Sequence, residues 1–271
     1  MSLKSFIKKS ALRMMRKDKI LELQDLPDML GVAQGIRQGR NVYDGYQRGW
    51  GLQFAGLKEK VLADPLYQEA VKVSQDRTII GVDNRMNIYL ILHFYLDKVP
   101  SGHIIEYGSY RGGNAIFMAY VVQKLYPGMK VFALDTFEGM PKTDKDVDAH
   151  NAGDFQDCDV NELQARVNEL KLDNLVLVKG LFENTNEGVM AQAGKISLAH
   201  IDCDIAPAVK FSYEGVRPFM VDGGYIVFDD ATVSSCIGAT EVVEDLVIRR
   251  DGLNSEQIWP QFVFRAFNSR V

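Results

Sequence analysis

The sequence predicts an α/β protein in which a mostly parallel sheet is covered by helices on both faces. Three observations lead to that class. From about residue 102 onward, short apolar runs alternate strictly with stretches of helical length. The apolar runs are nearly continuous, as expected for strands buried on both faces. Glycines or acids stand directly after those runs, at the edge where open parallel sheets gather their ligands.

The elements come in order along the chain. Residues 1–80 read as an N-terminal helical extension or lid, expected to cover the cofactor or acceptor cleft or to pack against another subunit, ahead of a sheet domain at 81–271. The opening MSLKSFIKKSALRMMRKDK is basic and amphipathic, with Leu3, Phe6, Ile7 and Met14 set among Lys8, Lys9, Arg13, Arg16 and Lys17. It lacks the apolar core of a signal peptide. A helix packed on its own domain or on a second subunit is expected, contact with an anionic membrane surface being the other reading. GLKEKVLADPLYQEAVKVSQ has helical spacing, broken near Pro65. RMNIYLILHFYLDKV predicts a helix from about Arg85 that places Met86, Tyr89, Leu90, His93 and Phe94 on one side and stops before Pro100. Then strand and helix alternate: GHIIEYG and GNAIFMAYVVQKLY, KVFALDTF and VNELQARVNELKL, NLVLVKG and ENTNEGVMAQ, ISLAHIDCD and AVKFSYEGVRPFM, GGYIVFDD and GATEVVEDLVIRR. QFVFRAF reads as a final strand.

Composition narrows the function classes. With 46% hydrophobic and 25% charged residues, the chain is ordinary for a soluble globular protein. A net charge of −5 argues against a nucleic-acid surface. The three cysteines, Cys158, Cys203 and Cys236, form no CxxC pattern, which fits a reducing, cytoplasmic setting. No apolar run approaches the roughly 20 residues of a membrane-spanning helix.

The chemistry gathers at the strand ends. EYGSYRGGN, Glu106 to Asn114, is a glycine turn between the first of these strands and its helix, the kind of turn that lets a ligand approach the backbone. Asp135 ends the next strand, where a carboxylate can accept hydrogen bonds from ribose hydroxyls. A dinucleotide fingerprint would place Tyr110 at its middle glycine, which counts against a pyrophosphate and hence against a nicotinamide oxidoreductase. Two acidic pairs come later, Asp202-Cys203-Asp204 and Asp229-Asp230. So many neighbouring carboxylates repel one another unless a cation neutralises them, and Mg²⁺ is the usual partner of such oxygens. Helix capping or plain solvent exposure is the competing explanation for any single one of them.

Glu106-x-Gly108-x-x-x-Gly112 resembles motif I of the class I S-adenosylmethionine-dependent methyltransferases. EYGSYRGGNAIFMA, ALDTFEGMP, LVKGLFENT, LAHIDCD and GGYIVFDD…GATEVVEDL then stand in the order found in the macrocin O-methyltransferase family, which the chain resembles from about Val82 to Arg250. The resemblance implies a Rossmann-like fold with a seven-stranded sheet and S-adenosylmethionine as cofactor. It implies cofactor contacts from Glu106, Gly108, Ser109, Tyr110, Arg111, Gly112, Asn114, Asp135, Thr136, Phe137, Gly180, Phe182 and Asp202. It implies Mg²⁺ on Asp202, Asp229 and Asp230, with Asp204 as general base beside Asp202 at the catalytic centre. His150, in the acidic insertion PKTDKDVDAHNAGDFQD, is an alternative base if that loop closes as a lid; a solvated loop histidine is the simpler expectation. The chain departs from the family in carrying Cys203 between the two aspartates and Ile205-Ala206-Pro207 after them. The activity implied is methyl transfer to a hydroxyl of a sugar, glycosylated natural product or polysaccharide, by an enzyme that forms a homo-oligomer. A catechol-like phenol as acceptor, or a non-catalytic nucleoside-cofactor-binding protein, are the alternatives.

Overall fold

The structure, a computed structural model, describes residues 57–267. The basic N-terminus and most of the 1–80 extension lie outside the described residues. The described chain begins with two helices, α1 (Leu57–Leu62) and α2 (Pro65–Val73). The helical spacing breaks between Leu62 and Pro65, as expected, and Pro65 opens α2 because the ring's missing N–H is not needed at a first turn. Asp64 caps that turn by accepting from the Leu66 and Tyr67 amides.

α3 spans Val82–Leu90, then widens into π-helical turns over Ile91–Tyr95 and tightens over Leu96–Lys98. The widening corrects the face expected from the sequence. Leu92 is buried whereas Phe94 is 52% exposed, since the extra residue per turn rotates the later side chains away from the core. The sheet opens with β1 (His103–Tyr107), α4 (Gly113–Leu125), β2 (Val131–Asp135), α5 (Val160–Glu169), β3 (Leu175–Lys179) and α6 (Phe182–Ala193). It continues with β4 (Ile196–Ile201), α7 (Ala206–Val216), β5 (Met220–Phe228), α8 (Ile237–Val242, running on with π geometry over Val243–Arg250), β6 (Ser255–Gln257) and β7 (Phe262–Arg265).

The strand order is β3-β2-β1-β4-β5-β7-β6. β1 to β5 run parallel, and β7 reverses against β5. β6 is the element for which the hydrophobic pattern held no sign: Ser-Glu-Gln is polar, and it is a strand because β7 offers it an edge. Each face of the sheet carries its own core. Tyr67, Tyr89, Phe117 and Leu163 fill one, bringing α2 to α5 onto the sheet. Val189, Tyr213, Phe228 and Val243 fill the other, under α6 to α8.

The helices ahead of β1 therefore join the sheet through an aromatic trio. The Tyr67 ring meets Tyr89 edge-on at 5.2 Å and Phe117 at 5.7 Å. Phe117→Ala removes the member carried by α4 and should cost about 3–5 kcal/mol of unfolding free energy in a urea titration. A loss below about 1 kcal/mol would show that α2 and α3 dock by other means.

Candidate active site

Strand order reverses between β1 and β4, so the crevice of this sheet opens above their carboxyl ends. The two ends are packed in direct backbone contact. The Asp202 amide donates to the Tyr107 carbonyl, and a Cβ built on Gly108 would lie 1.8 Å from the Asp202 carbonyl oxygen. Gly108 also has φ +86°, so no other residue serves there. Asp135 knits the turn from the other side. Its Oδ2 accepts from the Ser109 and Tyr110 amides, each at 2.8 Å, and its Oδ1 from the Phe137 amide at 2.7 Å. Burial holds the Asp135 carboxyl above its ordinary range against those three bonds. Tyr110 and Phe137 take left-handed backbone, φ +48° and +52°, to present their amides to it.

Above this turn lies a cavity of about 890 Å³. Of the residues expected at the cofactor, Arg111, Gly112, Phe137 and Gly180 lie off its wall, and the rest line it. Arg111 turns outward to pair with Asp157, and Gly112 backs onto Leu163. Phe137 is buried in the core, and the Gly180 amide closes the end of β3 on the Asp135 carbonyl. The segment Arg77 to Gly81 also lines the cavity, and its backbone crosses the glycine turn, the Arg77 carbonyl accepting from the Gly113 amide. A covering role is expected of the extension to which most of this segment belongs, though no motif singles these residues out.

Beneath the cavity is a buried polar network that sequence reasoning missed. His200 stands on β4 opposite Glu106 of β1 and is fully enclosed. Its Nδ1 lies 3.3 Å from Glu106 Oε1 and its Nε2 3.6 Å from Asp229 Oδ1. Burial alone would lower the imidazole, but the two carboxylates overcome it and push its pKa up to about 9. Asn114 donates to Glu106 Oε1 at 2.7 Å, while Asn84 and Gln261 donate to Asp229 Oδ1. Glu106 Oε2 is buried without a hydrogen-bond partner. A histidine in the middle of the apolar run ISLAHI was the one available signal for this network.

The acids expected to hold Mg²⁺ stand around that network. Burial, then Asp229, Asp230, Asp204 and Glu106, raise the Asp202 carboxyl well above its usual range. Burial and Asp204 do the same to Asp230, whose Oδ2 accepts from the Asp204 amide at 2.7 Å. Asp229 stays low despite its burial, because His200, Gln261 and Asn84 stabilise its charge. Asp202 and Asp229 each bring a ligand atom within 4.8 Å of the other and of His200; Asp230 is not of that group and lies on the Asp204 side. Hard oxygen donors, of which Asp202 and Asp230 are raised by burial and by their acidic neighbours, fit a divalent cation beside an unpartnered Glu106 oxygen.

His150 is not a solvated loop residue. Its loop is docked: Asp148 Oδ1 accepts from the Ala206 amide, the Ala149 amide donates to the Ser235 carbonyl, and the Gly238 amide donates to the Val147 carbonyl. This carries His150 Nε2 to 3.3 Å from Asp204 Oδ1, its ring tilted on Phe155. Asp204 itself has φ +59°, a left-handed conformation that costs energy outside glycine. Cys236, on the far side of both, was not expected in the site.

The fold defines a class first. The structure is similar to that of the O-methyltransferase NovP, with TM-score 0.61 at 20% identity over 78% of this chain and 95% of that one. It is similar as well to an O-methyltransferase from Bacillus cereus solved in complex with SAH, with TM-score 0.52 at 13% identity over 79% and 98%. This is the class I O-methyltransferase fold. The sequence model of the macrocin O-methyltransferase (TylF) family matches residues 72–249. A relative from Streptomyces olivaceus, 8-demethyl-8-(2,3-dimethoxy-alpha-L-rhamnosyl)-tetracenomycin-C 4'-O-methyltransferase, is 26% identical over 185 residues, 64% of this chain and 70% of its own. The chain belongs to the macrocin O-methyltransferase (TylF) family and is an O-methyltransferase.

Asp135→Ala strips three amides of their acceptor at once. It should weaken S-adenosylhomocysteine binding by about 1–3 kcal/mol in calorimetry and lower the melting temperature as well. Unchanged affinity would mean that the turn holds without its carboxylate.

Proposed function

We propose that the protein methylates a hydroxyl of a sugar, carried on a glycosylated natural product or polysaccharide, using S-adenosylmethionine and Mg²⁺. The observation that supports this most is the gathering of Asp202, Asp229, Asp230 and Asp204 on the wall of the cavity that begins at the glycine turn. His200 balances Glu106 and Asp229, which leaves Asp202 and Asp230 short of a counter-charge. The Streptomyces relative's name places its own methyl on a sugar, and the Bacillus cereus neighbour holds SAH.

Bound S-adenosylmethionine supplies a methyl group on a sulfonium, which needs little further activation. Mg²⁺ supplies positive charge that makes an acceptor hydroxyl more acidic. The residues do the rest. The turn at Gly108–Tyr110, locked by Asp135, offers a cradle for the cofactor, and Glu106 Oε2 is a free acceptor at its floor. Asp202, Asp229 and Asp230 would hold the metal. Asp204 faces the cavity with its side chain 20% exposed and takes the hydroxyl proton at Oδ1 or Oδ2. The docked loop that carries His150 walls the cavity with Phe155, where it would help to orient the acceptor. Among the described residues no helix is long and apolar enough to cross a membrane.

Two kinds of variant separate these roles. Asp204→Asn should keep Mg²⁺ and cofactor binding while its rate falls on the order of 10²–10⁴-fold. Asp229→Ala or Asp230→Ala should lose Mg²⁺-dependent activity, in part restored by excess Mg²⁺. Turnover of nucleotide sugars and glycosides, with catechols as the contrast, reads the acceptor. Activity indifferent to a strong chelator would remove the metal, and turnover of catechols alone would remove the sugar.

A further inference from the structure

We propose that His150, Asp204 and Cys236 form a second metal site, suited to Zn²⁺ or a similar borderline-soft transition ion and separate from the acidic Mg²⁺ site. Three parts of the chain meet there: the β2–α5 loop, the β4–α7 turn and the entry to α8. His150 Nε2 lies 3.3 Å from Asp204 Oδ1, and Cys236 Sγ lies 3.7 Å from each of them. A tetrahedral Zn²⁺ bound to nitrogen, oxygen and sulfur at their usual lengths sets its ligand atoms about 3.3 Å apart for the N–O edge and about 3.5 Å for both edges to sulfur. The three atoms thus match one face of such a tetrahedron in both size and proportion. The fourth position is left for water or a substrate oxygen.

The Cys236 thiol lies 3.6 Å from the Ser235 hydroxyl and 3.7 Å from both His150 Nε2 and Asp204 Oδ1, and His150 Nδ1 lies 3.6 Å from Asp154, so nitrogen, oxygen and sulfur donors already converge there. A further observation points the same way. Asp148, two residues before His150, is fully buried with Oδ2 lacking any hydrogen-bond partner, and its charge acts on both His150 and Cys236. Burial raises the Asp148 carboxyl, and a cation bound nearby would favour its charged form. Burial, with Asp230 and Asp204, raises the Cys236 thiol, so the sulfur carries its proton until a metal arrives. On binding, the S–H bond breaks, the proton leaves to solvent and the sulfur electron pair forms the metal bond, with no change of oxidation state. Thiolate with imidazole favours Zn²⁺, while the neighbouring carboxylates favour Mg²⁺, so the two sites differ in selectivity.

Occupancy would draw Asp204 away from the acceptor and staple the His150 loop to α8. Zn²⁺ then inhibits methyl transfer; this consequence rests on Asp204 acting as the base, whereas the site itself does not. The test uses the full chain, stripped with a chelator and titrated with Co²⁺. One ion per chain should give the strong visible bands of tetrahedral cobalt and a thiolate charge-transfer band, displaced by Zn²⁺ but not by excess Mg²⁺. Cys236→Ser should abolish the charge-transfer band, Cys158→Ser should keep it, and His150→Ala should weaken binding on the order of 10²-fold. No charge-transfer band in the wild type, or the same band in Cys236→Ser, overturns the site. If Cys236→Ser does not fold, unchanged affinity in His150→Ala overturns it equally. A wild type that shows the band and still turns over at full rate with Zn²⁺ bound keeps the site and sinks the Asp204 reading instead.

Discussion

The buried imidazolium of His200 is the interaction on which the centre of this molecule depends. Glu106 of β1 and Asp229 at the end of β5 flank it, on the two strands that pair with β4. Either carboxylate alone would be costly at that depth, and so would the cation. Together, with Asn114, Asn84 and Gln261 donating to the acids, they form a network in which two carboxylates share one imidazolium. Three strands and α3, α4 and β7 are thereby held in one register beneath the cavity. The same network explains why Asp229 stays ionised while Asp202 and Asp230, close by, are pushed toward protonation.

On that base the chain accepts strain at the rim of the cavity. Tyr110, Phe137 and Asp204 all adopt left-handed backbone at the rim. Each conformation is held by a specific bond: Asp135 fixes the first two through their amides, and Asp230 the third. A carboxylate that anchors backbone amides does two things at once. It sets the shape of the turn, and it spends lone pairs that solvent would otherwise satisfy. Asp135 therefore shapes the glycine turn whether or not its remaining lone pairs reach a ribose.

The loop after β2 gives the second half of the site its identity. Val147, Asp148 and Ala149 are buried; backbone bonds tie Val147 and Ala149 to the entry of α8, and the Asp148 carboxylate accepts from the first amide of α7. His150 comes directly after them, so its position is set by the same contacts. Asp204 thus sits between two unlike environments, Asp230 on one side and imidazole with thiol on the other. The glycine turn, an acidic cluster and an imidazole beside a thiol stand along one sheet edge.

Much of the fold was legible in the sequence because its signals are local. Near-continuous apolar strands, helical spacing and the glycine turn all act within a few residues, and each strand from HIIEY to FVFR, apart from the polar β6, is visible that way. The acids at the ends of β2, β4 and β5 were legible for the same reason, since topology carries strand ends to one rim. What the sequence could not reveal depends on pairing across the chain. Ser255–Gln257 is a strand through its neighbour, not its composition. Phe94 leaves the core because the turns of α3 widen. His200 is charged, His150 meets Asp204, and Cys236 joins them through distances between residues far apart in sequence. Sequence alone determined which residue types stand at the strand ends; only the tertiary structure decided which of them share a low-dielectric space, and burial and charge are set there.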